Sequence, residues 1–260
     1  MSAAGFAGIL IVILFLGVIL LVNFLTEDQD KSPLRSIHGY DEINQKVNAA
    51  VENGTQLHLS LGHGGITGPE SAATLAGLTL LKQIIAKSSI CDYPPLATTG
   101  NAVTSILAQD TILGTSQSIS IEDQSRISYG ELVGVTPYSY AAGTLTTIRD
   151  DNVSANVFTG WFGSELIWLT TAGERQGTST ITGAAQLPAQ AVLYASASDP
   201  LIGEELFVSG AYLDAGKIYH ASVTAQDIFR WMIVGLILLG VLLNIFGIDQ
   251  FIANLLIGSI

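Results

Sequence analysis

Apolar positions along this chain follow two rhythms. The ends are continuous: residues 5 to 25 are uncharged and almost wholly apolar, and a second run extends from Trp231 to Phe246, led in by Ile228-Phe229-Arg230. About 20 such residues span a hydrocarbon core as a helix. The expectation is a transmembrane anchor over 1–25 and a transmembrane helix over 227–247. The first run has no basic leader and no small-x-small site before Thr26, so a retained anchor is expected rather than a cleaved signal peptide. Residues 248–260 are apolar but too short to span, which leaves interfacial and re-entrant placements open.

Between the ends the rhythm changes. A polar linker covers 26–36. Ile43, Val47 and Val51 then recur every fourth residue, the stripe of an amphipathic helix that Gly54 would stop. Five short apolar runs follow: Gln56 to Leu61, Pro95 to Asn101, Glu131 to Pro137, Ala155 to Gly163, and Thr178 to Gly183. Each closes on small or hydroxylic residues and is succeeded by a helical pattern. Pro69 suits a first helical turn, and Glu70 adds a favourable charge there. A further helix is expected over 204–212. Strands alternating with helices imply parallel βαβ units with right-handed crossovers. The predicted fold class is α/β: a small doubly wound, mostly parallel five-stranded sheet, Rossmann-like, over residues 37–226, flanked by N- and C-terminal transmembrane helices.

Composition sharpens this picture. The 260 residues carry 10 Lys and Arg against 22 Asp and Glu, a formal charge of −12, and only 12% are charged. A soluble domain is usually about a quarter charged, so contact with a lipid bilayer is expected. No basic stripe is present to neutralise phosphates, which argues against nucleic-acid binding. The single cysteine, Cys91, excludes an internal disulfide. Lys31, Arg35 and Arg230 all lie on the body side of the apolar runs, so the positive-inside rule puts the body in the cytoplasm.

In parallel sheets ligands bind beyond the carboxyl ends of the strands, where strand order reverses. The candidate ligand residues at those ends are Gly62, His63, Gly64, Gly65, Thr99, Gly100, Asn101, Thr159 and Gly160. Free amides and the helix dipole would make such turns seats for an anionic or phosphorylated ligand. The same residues also relieve strain and cap helices in any βα turn. The glycines are too closely spaced for the dinucleotide fingerprint, and there is no Gly-Lys-Ser/Thr. His63 is the one titratable side chain inside the first turn. Thr159, Ser164 and Glu165 could line the same crevice, though capping of the following helix is the favoured role for Ser164. His38, His58 and His220 show no metal-ligand spacing, so no metal site is expected. No cofactor is indicated and no catalytic constellation appears.

One set of segments is distinctive: His58-Leu59-Ser60-Leu61-Gly62-His63-Gly64-Gly65, Ala72 to Leu78, Pro95 to Gly100, Tyr194-Ala195-Ser196, Asp199 to Phe207, and Gly210 to Leu213. It resembles an uncharacterised family of bacterial membrane-anchored proteins, catalogued as a domain of unknown function. The resemblance implies an α/β domain held between membrane segments in a bacterial cell membrane, and transfers no activity. Two functions follow as expectations. The first is a structural or assembly protein, self-associating or joined to other membrane proteins; Gly5, Gly8, Gly17, Gly235 and Gly240 would permit close helix approach. The second is a small-ligand-binding or enzymatic domain using the strand-end turns.

Overall fold

The computed structural model describes residues 3–25, 34–88, 95–118, 130–150, 152–197 and 199–245. The predicted 248–260 tail, Cys91 and most of the 26–36 linker lie outside them. The chain divides into two compact units, Leu34–Gly216 and a second made of Met1–Pro33 with Lys217–Ile260.

The second unit contains two helices, α1 (Ala3–Leu25) and α9 (Lys217–Ile245). They pack on one another, with Phe15 and Phe229 ring centroids 5.1 Å apart. Both are long and apolar enough to cross a membrane, and their apolar windows are uncovered. A soluble helix would bury at least one apolar stripe. α1 and the part of α9 after Arg230 are apolar all round, while the start of α9 is polar and buries Ala221 and Ala225.

The Leu34–Gly216 unit begins with α2 (His38–Asn53), which buries Tyr40, Ile43, Val47 and Ala50. Gly54 ends it in the left-handed conformation, φ 64°, and donates to the Ala50 carbonyl. The alternation then runs β1 (Gln56–Gly62), α3 (Ser71–Lys87), β2 (Leu96–Thr99), α4 (Ala102–Ser118), β3 (Gly130–Leu132), α5 (Pro137–Ile148), β4 (Val153–Trp161), α6 (Leu166–Gln176), β5 (Ser179–Ala184), α7 (Leu187–Ser196) and β6 (Leu201–Ile202). A 3-10 turn (Gly203–Val208) and the single-turn α8 (Ser209–Tyr212) close the unit.

All strand pairs are parallel, in the order β3-β2-β1-β4-β5-β6. The α/β doubly wound expectation holds, with one correction: among the described residues the sheet has six strands, not five. The sixth is a two-residue pairing of Leu201 and Ile202 with Gly183 and Ala184, too short to show an alternating pattern. The helix expected over 204–212 is likewise a 3-10 turn followed by one α-turn.

β1 and β4 are buried over nearly their whole length, as central parallel strands covered on both faces must be. Phe158, Phe162, Leu166, Leu169, Leu193, Tyr140 and Ile148 form one core beneath α5, α6 and α7. From β1 the chain builds outward to β3, crosses back through α5, and resumes at β4 on the other flank of β1. The reversal of strand order therefore lies between β1 and β4.

Candidate functional site

At the carboxyl end of this reversal the two central strands close unusually tightly. Pairing slips from Ser60↔Phe158 to Gly62↔Trp161, so β4 carries one extra residue at Thr159-Gly160. Such a bulge bends the strand and re-aims the residues beyond it. Both strands use glycine here: Gly62 at φ 77° and Gly160 at φ 149°. A Cβ on Gly62 would stand 2.1 Å from the Trp161 carbonyl oxygen, and one on Gly160 2.2 Å from that of Leu61.

Beyond the bulge, Gly163-Ser164-Glu165 turns into α6 and brings the Glu165 side chain back over the crevice. Its Oε1 accepts from the Gly163 N–H at 2.7 Å and stands 3.1 Å from His63 Nδ1. The Glu165 side chain is 3% exposed and that of His63 18%. Burial pushes the Glu165 carboxyl up, but the His63 ring and the Gly163 N–H outweigh it and hold the group below its usual range. The crevice thus contains an ionised, nearly buried carboxylate facing an imidazole. The two groups approach closely, but His63 Nδ1 does not meet hydrogen-bond geometry with any partner among the described residues. With its amide turned toward the indole, Gln186 accepts from Trp161 Nε1 at 2.6 Å and donates to the Phe162 carbonyl at 3.2 Å, fixing the adjacent wall.

The glycine-rich turn after β1 packs against Trp161, Thr74 and Asn101. Gly64 and Gly65 are buried, and among the described residues their N–H groups have no hydrogen-bond partner. Buried backbone donors are rarely left unpaired. A Cβ on Gly64 would stand 2.6 Å from the Trp161 Cβ and 2.7 Å from Thr74 Oγ1. Glu70 folds back along the outer half of the turn, its Oε1 3.5 Å from where a Gly65 Cβ would lie.

The nine candidate residues therefore separate into three groups. Gly62, His63, Gly64 and Gly65 come together at the reversal, with Gly160 backing them. Thr99, Gly100 and Asn101 tie the turn in place. Gly100 N–H donates to the Gly62 carbonyl at 2.9 Å, Thr99 Oγ1 donates to the same oxygen at 3.3 Å, and Asn101 Oδ1 caps α4 through the Val103 and Thr104 amides. Thr104 Oγ1 completes the tie by donating to the Gly64 carbonyl at 2.8 Å. Thr159 lies inside the sheet, 1% exposed, and its Oγ1 has no hydrogen-bond partner among the described residues.

Beneath the rim, polar side chains run across the buried sheet. His58 is fully buried, with Nε2 2.8 Å from Thr98 Oγ1 and Nδ1 2.8 Å from Asn156 Oδ1. The Asn156 amide donates to Thr178 Oγ1 at 2.9 Å, which donates to the Gly173 carbonyl. Since the Asn156 amide N–H is spent on Thr178, Asn156 Oδ1 must accept from His58 Nδ1–H, and Nε2 accepts from Thr98. Every member is satisfied only while His58 is neutral. Burial lowers its pKa to about 4. The Tyr140 hydroxyl pairs with Ser60 and accepts from the Gly62 N–H at 3.1 Å, anchoring the start of the turn. Burial raises its pKa.

A doubly wound parallel sheet whose strand order reverses between β1 and β4, in a chain that also carries two long apolar helices, defines the class. The matching family model covers residues 2–255, and the chain belongs to that family, described as a domain of unknown function (DUF6754). No curated protein and no solved structure matches the chain.

Proposed function

We propose that this is a membrane-tethered domain that binds a small ligand in the β1–β4 crevice, with Glu165 and His63 as its acid–base pair. The observation that carries this reading is the pairing of unused donors with a held carboxylate. Gly64 and Gly65, buried residues whose N–H groups have no hydrogen-bond partner among the described residues, follow directly on His63, which stands against an ionised Glu165. A ligand oxygen would satisfy the amides, and His63 Nε2 would accept or return a proton at the ligand. Glu70 and Glu165 put negative charge on both sides, so a single carboxylate or carbonyl oxygen is better matched than a polyphosphate. This favours ligand binding over the assembly role that the sequence alone put first. The two uncovered apolar helices support anchoring in a bilayer.

One preparation tests both halves. Membranes washed with alkaline carbonate should retain the full chain. Protein then extracted in nonionic detergent should gain thermal stability with a member of a panel of small carboxylic acids and monophosphates. At a hundred times its dissociation constant, a ligand adds about 2.7 kcal/mol. Glu165→Gln and His63→Ala should each abolish the shift. Release by carbonate contradicts the anchoring. A panel without effect, or shifts that survive both substitutions, contradicts the site.

A further inference from the structure

Away from the rim, the outer faces of α5 and α6 enclose a cleft of about 450 Å³. Leu145 in the last turn of α5 and Arg149, the residue that caps it, line one side. Ile167, Trp168, Ala172 and Arg175 line it from α6 at the spacing of one helical face. The combination is unusual for this chain. It carries 22 acidic residues and 10 basic ones, yet two arginines share this cleft. Among the described residues, neither forms an ion pair. Trp168 is 60% exposed and Ile167 40%. The position of each arginine at a helix carboxyl end, where a cation offsets the dipole, accounts for one charge per helix. It does not account for an indole left uncovered between them.

We infer that this cleft binds a small anion with a flat apolar body, such as an aromatic carboxylate or an aryl phosphate. The juxtaposition of Arg149, Arg175 and Trp168 carries the inference. Guanidinium forks match carboxylate and phosphate oxygens in two-point geometry. The Trp168 face, with Leu145, Ile167 and Ala172, covers a planar apolar body. The volume lies in the range of small-molecule sites. The site is independent of the β1–β4 crevice and shares no residue with it.

The test is isothermal titration of the full chain, in nanodiscs of zwitterionic lipid, with 1-naphthyl phosphate. Saturable one-to-one binding is expected. Affinity should fall at least tenfold in Arg149→Gln/Arg175→Gln and in Trp168→Ala, with thermal unfolding confirming that both variants fold. Neutral 1-naphthol should bind at least tenfold more weakly, and Glu165→Gln should bind the phosphate as the wild type does. The inference is overturned by absence of saturable binding, by equal affinity for naphthol, by full affinity in the double arginine variant, or by loss of binding in Glu165→Gln. If adding anionic lipid changes Trp168 fluorescence while naphthyl phosphate does not bind, the cleft is a membrane contact and the inference also fails.

Discussion

Between pH 6.5 and about pH 4 the Leu34–Gly216 unit should lose about 3 kcal/mol of stability through one side chain, His58. In the folded protein burial lowers its pKa from 6.5 to about 4, and the unfolded chain keeps the ordinary value. In that window the unfolded state binds a proton that the folded state refuses, so stability rises with pH. The contribution is complete above about pH 6.5 and disappears as the pH falls to about 4. The ring cannot accept the proton in place, because Nε2 already accepts from Thr98 and the imidazolium would sit in the middle of a dry sheet. Carboxylates, Glu165 included, weaken the fold in the same direction but at lower pH, because its pKa is depressed. Urea unfolding of the full chain in nonionic detergent, followed from neutral pH to about pH 4.5, separates the two. His58→Gln should be less stable at neutral pH, and its stability should be nearly flat across the window. Parallel slopes for variant and wild type would show that His58 is not held neutral.

Gly62→Ala should be the most damaging single methyl in the unit, destabilising by about 4 kcal/mol. Two effects add. The left-handed backbone at φ 77° strains any side chain, and the new Cβ would meet the Trp161 carbonyl oxygen at 2.1 Å. Backbone of a central strand cannot yield as the end of a flexible side chain can. Gly54→Ala is the matched control. It has a similar φ of 64° and open space around the site, so only the conformational strain of about 1 kcal/mol applies. Chemical denaturation of the two variants side by side measures the difference. Equal losses would mean that the tight β1–β4 approach contributes nothing beyond backbone conformation.

How much of this could be read from the chain is best seen residue by residue. Five strands were legible because each is a β-branched or apolar run ending in small residues. The sixth was not, because two residues cannot display a period. Gly160 was legible only as a strand-end turn residue, because the bulge it belongs to is defined by the register of β4 on β1. The polar chain through His58 was hidden because it is assembled across strands: Asn156 is 98 residues from His58 and Thr98 is 40. Glu165 was placed near the crevice from its position after β4. Its approach to His63 depends on the β1–β4 adjacency, which strand order alone supplies. Thr99, Gly100 and Asn101 show the converse: the expected turn chemistry is present, but its hydrogen bonds are spent on the scaffold.

The most direct test is an experimental map of the full chain in nanodiscs, collected at high ligand concentration with whichever carboxylic acid gives the largest thermal shift. Density is expected at the carboxyl ends of β1 and β4, with a ligand oxygen within hydrogen-bond distance of the Gly64 and Gly65 amides and another polar atom facing His63 Nε2. Ligand density elsewhere on the domain, with the two glycine amides bonded instead to the protein's own oxygens, would contradict it.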